Sequence, residues 1–188
     1  MPESQKPYVV VFLGSIGAGK SFFARNLAAR TNTVRLNADA MRLATYGSNE
    51  GMERENAYSK EGNKKLFGAL HYVAHQILST GQNLIYDTAR LNGKDARDSL
   101  RETIKDTGAE MIIVWMKTPR DLAAQRAQTR EETQDQRQLD AKRVEEILDF
   151  HDQQFDPPQS DEKVMHIDGT IPFDDQYALF TEGLRGLL

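Results

Sequence analysis

Five apolar runs punctuate the chain, at Tyr8 to Leu13, Thr33 to Leu36, Asn83 to Tyr86, Met111 to Met116 and Lys163 to Ile167. They are continuous rather than alternating, the pattern of strands covered on both faces, as in a parallel sheet between helices. Helical periodicity fills the intervals. Leu66, Leu70, Val73 and Ile77 recur at spacings of 4, 3 and 4, followed by Gly81 as a left-handed C-terminal cap. Ala96, Leu100 and Ile104 repeat similarly and stop before Gly108. Thr118-Pro119-Arg120-Asp121 reads as an N-cap, a proline at the first helical position and a first-turn acid. Tyr177, Phe180, Leu184 and Leu187 form the core-facing stripe of a last helix. The polar stretches 47–62, 131–138 and 152–162 lack periodicity and are expected as loops or flaps. None divides the chain, so a single α/β domain over residues 1–188 is expected.

Composition narrows the setting. At 188 residues and 39% hydrophobic content the chain suits one core. Cysteine is absent, which excludes disulfides and thiolate zinc sites and suggests a reducing compartment, the cytoplasm. Residues 1–7 lack a signal-peptide pattern, and the apolar runs fall far short of the roughly 20 residues a bilayer requires, so no membrane segment is expected. The net charge of -4 is uneven: residues 144–188 hold 11 acids against 2 bases, and residues 1–143 hold 22 bases against 17 acids. That balance suits an anionic ligand near the N-terminal elements without the basic stripe of a strong duplex binder.

Candidate chemistry begins where the first strand stops. Gly14, Gly19, Lys20 and Ser21 satisfy G-x-x-x-x-G-K-[ST] between a buried strand and a helix, the context a phosphate-binding loop requires. Glycines let backbone N–H groups curl inward, and the helix N-terminus adds its positive dipole end. Gly14, Ser15, Ile16, Gly17, Ala18, Gly19, Lys20, Ser21 and Phe22 form the expected ATP-binding set, with Phe22 and Phe23 also packing the helix against the sheet. Lys20 is expected to reach the β- and γ-phosphates, and Ser21 to offer its hydroxyl to Mg2+.

Several phosphate-loop proteins share this cradle. A guanine-nucleotide switch carries Asn-Lys-x-Asp, and Asn92-Gly93-Lys94-Asp95 has the wrong spacing. A motor ATPase is expected to need more chain, including a helical lid domain, than the residues after Met116 provide. A kinase needs a carboxylate at the acceptor hydroxyl and cations on the phosphoryl group. Asp39, beyond the second strand, is placed to accept the hydroxyl proton and can also cap a helix, and Arg42, three residues later, to hold an anionic part of the substrate. Asp87, at the end of the third strand, is placed beside the loop to orient Mg2+. Thr88 and Arg90 join Asp87 on the substrate side. Arg126 and Arg130, four apart on one helix face, precede a polar flap and suggest an arginine-bearing helical lid, at about residues 126–142.

The loop, Asn37-x-Asp39-x-x-Arg42, Asp87-Thr88-x-x-Leu91-Asn92 and the arginine lid resemble the polynucleotide 5'-hydroxyl kinase branch of the P-loop kinases over most of residues 8–150. The resemblance implies a doubly wound parallel sheet of order 2-3-1-4-5. It also implies Asp39 as general base, Arg42 on substrate phosphate, and Arg126 and Arg130 on the ATP phosphates. The family's Asn-Arg-Asp-Asp-x-Arg pattern has Ala38 and Ala40 here in place of its arginine and second aspartate. Zeta-toxin-like and chloramphenicol-phosphotransferase-like small-molecule kinases are similar in the same parts. The expected reaction is therefore γ-phosphoryl transfer from ATP, with Mg2+, to a hydroxyl: foremost the 5'-hydroxyl of a single-stranded nucleic acid, with a small molecule or nucleotide sugar as the alternative. A non-catalytic ATP-binding switch is the remaining reading.

Two other motifs lead nowhere catalytic. Asp168-Gly169-Thr170 resembles part of a haloacid-dehalogenase phosphatase signature, but His166 replaces the nucleophilic aspartate, so a loop near the adenine is expected instead. His71 and His75 have a zinc-compatible spacing, yet Tyr72 stands where His-Glu-x-x-His has its glutamate, and both are expected to face solvent.

Overall fold

The computed structural model describes residues 6–131, 133 and 139–188. Its five parallel strands are β1 (Tyr8–Leu13), β2 (Val34–Asn37), β3 (Leu84–Asp87), β4 (Glu110–Lys117) and β5 (Lys163–Asp168), in the spatial order β2-β3-β1-β4-β5. The connecting helices are α1 (Lys20–Thr31), α2 (Ala38–Tyr46), α3 (Asn49–Arg54), α4 (Lys60–Ser79), α5 (Lys94–Ile104), α6 (Arg120–Thr129), α7 (Ala141–Gln154) and α8 (Phe173–Leu187). This is the parallel sheet covered on both faces that the continuous apolar runs predict, with the P-loop strand order that the family resemblance implies.

The reason those runs are continuous is visible in β1. Val9, Val11 and Leu13 enter one core with Leu66, Leu70 and Leu78 of α4 and Leu100 and Ile104 of α5. Val10 and Phe12 enter a second core with Phe23 and Leu27 of α1 and Phe180 of α8. Alternate side chains point to opposite sheet faces, and helices cover both. A smaller cluster joins α6 and α7 through Ala124, Ala127, Val144 and Leu148, with Ile16 of the loop against it.

Several local expectations are corrected. β2 and β3 lie one residue further along than their apolar runs, so that Asn37 and Asp87 are paired in register inside the sheet. Polar ends of this kind are invisible to hydrophobicity. The stretch 47–62 is not simply a loop, for Ser48 caps α3 and Ser59 caps α4, each accepting from the backbone N–H three residues on. Helix α7 runs to Gln154, three residues into the expected 152–162 loop. The cap of α6 is Pro119 rather than Thr118, whose hydroxyl instead donates to the Ala18 carbonyl at 3.0 Å. Asn37, not Asp39, caps α2, accepting from the Ala40 N–H at 2.8 Å. His71 is half-buried against Tyr86 rather than solvent-facing, because α4 is covered by α5 as well as by the sheet. His75 bonds Asp106 at 2.9 Å.

Among the described residues no helix is long and apolar enough to cross a membrane. Most of the expected flap at 131–138 lies outside the described residues, which end α6 at Thr129 and begin α7 at Ala141.

Candidate active site

Strand β1 delivers the chain to a loop bent by three left-handed glycines, Gly14 (φ 130°), Gly17 (φ 75°) and Gly19 (φ 99°). Gly17 is fixed by contact as well as conformation, because a Cβ there would lie 1.9 Å from the Ala123 carbonyl oxygen of α6. Gly19 precedes α1 with no side-chain cap, which leaves the first-turn N–H groups to an anion. Asn92 anchors the loop's entry: its Oδ1 accepts from the Gly14 N–H at 2.9 Å and its Nδ2 donates to the Gly14 carbonyl at 3.1 Å.

Lys20 is 8% exposed and donates through Nζ to the carbonyls of Gly14 at 2.7 Å and Ser15 at 2.6 Å. Burial lowers its pKa to about 8, with Asp87 pulling it up and Arg130 pushing it down. A bound phosphate would exchange those carbonyls for a stronger acceptor.

The corner beside Lys20 holds Ser21 and Asp87. Ser21 Oγ donates to Asp87 Oδ1 at 3.2 Å, while Asp87 Oδ2 accepts from Asn37 Nδ2 at 2.9 Å and from the Arg35 guanidinium. Two donors thus hold one carboxylate oxygen, and the other is presented to the hydroxyl. Two hard oxygen donors fit Mg2+, which keeps several waters and takes only one or two carboxylates besides substrate phosphates. No group of three or more His, Cys, Asp or Glu that could hold a metal occurs among the described residues, so a cage of protein ligands is not the chemistry on offer.

On the other side of the cleft Asn37 starts α2, which places Asp39 in its first turn and Arg42 one turn later. Arg42 is buried, donating to Asp39 Oδ1 at 2.9 Å and to Asn63 Oδ1 at 2.8 Å, with its guanidinium 4.1 Å from the Tyr58 ring centre. Burial lowers the Arg42 pKa while Asp39 and Tyr46 oppose the shift, and Nε is buried without a partner among the described residues. The Asp39 side chain is half-exposed. Thr88 is buried and accepts from the Arg90 N–H at 3.2 Å, whereas Arg90 is exposed, over the Phe67 ring at 4.8 Å.

Arg126 donates to the Gly169 carbonyl at 2.7 Å, tying α6 to the loop after β5. In that loop Asp168 Oδ1 accepts from the Thr170 N–H at 2.7 Å and hydroxyl at 2.6 Å. Arg130 lies at the cleft wall within electrostatic reach of Lys20.

A single cleft of about 1170 Å3 gathers Gly14, Ile16, Gly17, Gly19, Lys20, Ser21 and Phe22 with Asp39, Arg42, Asp87, Thr88, Arg90, Arg126 and Arg130. Ser15 and Ala18 sit behind the loop: Ser15 lines a neighbouring cleft, and Ala18 is buried in the α1 core. Sequence reading missed the brackets that hold these groups, namely Arg35 and Asn37 on Asp87, Asn63 on Arg42, and Asn92 on Gly14. Only the motif positions of Asn37 and Asn92 hint at them. Their partners lie 21 to 78 residues away, which no periodicity reports.

The site's geometry can be set beside known proteins. A family model described as an AAA domain matches residues 9–154. No curated protein matches the chain. Among solved structures, the chain is similar to an unliganded sugar kinase from Janibacter sp. HTCC2649, with a TM-score of 0.69 at 19% identity, covering 95% of each chain. It is also similar to a gluconokinase from Sinorhizobium meliloti 1021, with a TM-score of 0.66 at 16% identity, covering 97% of this chain and 94% of that one. At such identities the likeness is one of fold.

Proposed function

From its place in the AAA-domain family, to which the match over residues 9–154 shows that this chain belongs, we propose that it is an ATP-dependent kinase acting on a small polar hydroxyl compound of the carbohydrate class. The observation that carries this reading is the single cleft shared by the phosphate loop with Asp39, Arg42 and Asn63. A phosphate cradle and a carboxylate held by a buried guanidinium are the two halves of a phosphoryl transfer site.

In this reading the loop and Lys20 bind the phosphates of ATP, and Ser21 and Asp87 hold Mg2+. The bound ion offsets charge on the phosphate oxygens. Asp39 accepts the proton of the acceptor hydroxyl as its oxygen bonds to the γ-phosphorus. The bond from that phosphorus to the β,γ-bridging oxygen breaks, and ADP leaves with the electron pair. Arg42 aims Asp39 through the hydrogen bond to its Oδ1. Arg126 and Arg130 approach the developing charge on the transferred phosphoryl group.

The acceptor is assigned to a small molecule rather than a nucleic-acid end for two reasons. Two fold neighbours are a sugar kinase and a gluconokinase. Asp39, Asn63, Thr88 and Arg90 also line the cleft with hydrogen-bonding groups, which suits a polyol. The resemblance to polynucleotide kinases thus bears on the reaction more than on the acceptor.

The test is transfer of labelled γ-phosphate from ATP with magnesium to sugars, sugar acids, nucleosides and 5'-hydroxyl oligonucleotides. Label is expected on a sugar or sugar acid, with Asp39→Asn lowering turnover by about 100- to 10,000-fold while ATP still binds. Label on oligonucleotides alone would restore the nucleic-acid acceptor. ATP binding with no acceptor-dependent turnover would favour a switch.

A further inference from the structure

Helix α7 carries a histidine that none of this chemistry uses. Val144 and Leu148 bury one face of the helix against α6 and Ile16 of the phosphate loop. His151 lies on the same face one turn on, by the 3.6-residue period. It lines the main cleft and also a second cleft, which Gly14 and Ser15 border from behind. Its ring packs on Phe155 at 5.1 Å, and Nδ1 lies 3.2 Å from Asp152 Oδ1. Asp152 is itself paired with Arg120. A carboxylate only accepts, so Nδ1 carries the hydrogen and Nε2 is left with a lone pair. That Nε2 is buried and has no hydrogen-bond partner among the described residues.

An orphaned buried nitrogen on a ring anchored on its other side calls for an occupant. The charges around it say which. Burial disfavours the imidazolium, Lys20 from the loop and Arg120 from α6 disfavour it further, and Asp152 on its own helix favours it; together they lower its pKa. Neutral in the nucleotide-free protein, the histidine lines the same cleft as Lys20, the residue expected at the β- and γ-phosphates.

We propose that His151 is a ligand of the terminal phosphate: when ATP binds, Nε2 takes a proton from solvent and donates it in a hydrogen bond to a γ-phosphate oxygen. The inference rests on ATP occupying the phosphate loop. The phosphates bring several negative charges near a ring that burial, with Lys20 and Arg120, had kept neutral, so the local field comes to favour the imidazolium. The added charge-assisted hydrogen bond then favours triphosphate over diphosphate. It couples ATP affinity to pH, with tighter binding as pH falls from neutrality.

Calorimetry with non-hydrolysable ATP and with ADP tests this, at pH 7 in two buffers of different ionisation enthalpy. At that pH Lys20, with its pKa near 8, already holds its proton for the most part, and the difference in uptake between wild type and His151→Gln, which cancels the titration of the nucleotide itself, reports on the histidine. Wild-type protein is expected to take up close to one proton with the triphosphate. His151→Gln should abolish that uptake and weaken triphosphate binding by about tenfold, the size expected for a hydrogen bond to a charged group, while ADP changes less than twofold. His75→Gln, on the outer face of α4, should leave all three unchanged. Since His151→Gln can perturb α7 packing, nitrogen NMR of wild-type protein supplies an independent readout: the ring should change from the Nδ1–H tautomer to the doubly protonated form on adding the triphosphate analogue. A ring that stays neutral, or equal losses for ATP and ADP, would overturn the proposal. Absence of any nucleotide binding by wild-type protein would instead overturn the kinase reading on which it stands.

Discussion

At the scale of single residues, buried charge and backbone conformation set what the site tolerates. The ammonium of Lys20 titrates at about 8 in the nucleotide-free protein, so kcat/KM for ATP is expected to fall about tenfold per pH unit well above that value. Folding responds with the opposite sign. A base whose pKa is depressed in the folded state destabilises that state while protonated, so nucleotide-free stability should rise between about pH 8 and the ordinary lysine range. Lys20→Met should lose that rise in thermal melts, and a melting curve as steep in pH as wild type would count against a buried cation. Gly17 answers to geometry. Its positive φ and the Ala123 carbonyl 1.9 Å from any Cβ lead us to expect Gly17→Ala to displace α6 or the loop, lowering stability by about 1 to 3 kcal/mol in urea unfolding and weakening ATP binding together. The glycine requirement was readable from the motif; the neighbour that enforces it at position 17 was not.

At the scale of elements, two polar staples join segments that hydrophobic patterning treats as unrelated. Arg97 of α5 is fully buried, and it donates to both oxygens of Glu162, to the carbonyls of Leu91 and Asn92, and to those of Asp156 and Pro157. It therefore fixes the backbone of the residue whose side chain brackets Gly14. Burial raises the pKa of Glu162, but hydrogen bonds from Arg97, the Gln159 N–H and Arg101 outweigh it, leaving the carboxyl below its usual range. A depressed acid contributes stability above its unfolded pKa and loses it as pH falls through the folded value. Glu162→Gln should thus cost about 3 to 5 kcal/mol at pH 7, since it leaves a buried guanidinium unpaired. The gap to wild type should narrow as pH falls below the ordinary glutamate range toward the depressed value at which the folded carboxyl protonates. A gap that stays constant through that range would show the ion pair to be idle. The second staple, Arg120 against Glu145, Asp149 and Asp152 across α6 and α7, is exposed and expected to contribute little alone.

At the scale of the whole molecule, the sheet order brings the ends of β1, β2 and β3 together, and the phosphate loop, Asp39 and Asp87 follow from that convergence, to which α6 adds Arg126 and Arg130. A ligand bridging the loop, α2 and α6 binds only the folded chain. Magnesium and ATP at a hundredfold excess over Kd should stabilise it by about 2.7 kcal/mol, raising Tm by about 5 to 10 °C for a chain of this size. Removing magnesium with a chelator should shrink that shift, and Asp87→Asn should remove most of the dependence on the metal. An equal shift with and without magnesium would take Ser21 and Asp87 out of the metal site.

The sequence by itself determined the five strands, their burial on both faces, the phosphate loop and the acidic residues at the strand ends, because each is a local matter of apolar runs, glycine spacing or helix start signals. Tertiary structure alone decided what those acids touch. The pairing of Asn37 with Asp87 depends on a register set by polar strand ends, and the grip of Asn92 on Gly14 spans 78 residues. The burial of Arg42 between Asp39, Asn63 and Tyr58 requires α2 and α4 to meet. The orphaned nitrogen of His151 becomes apparent only once α7 lies across the loop. Periodicity records which face of an element is apolar, and the polar contacts that arm the site are made between elements whose approach only packing and register specify.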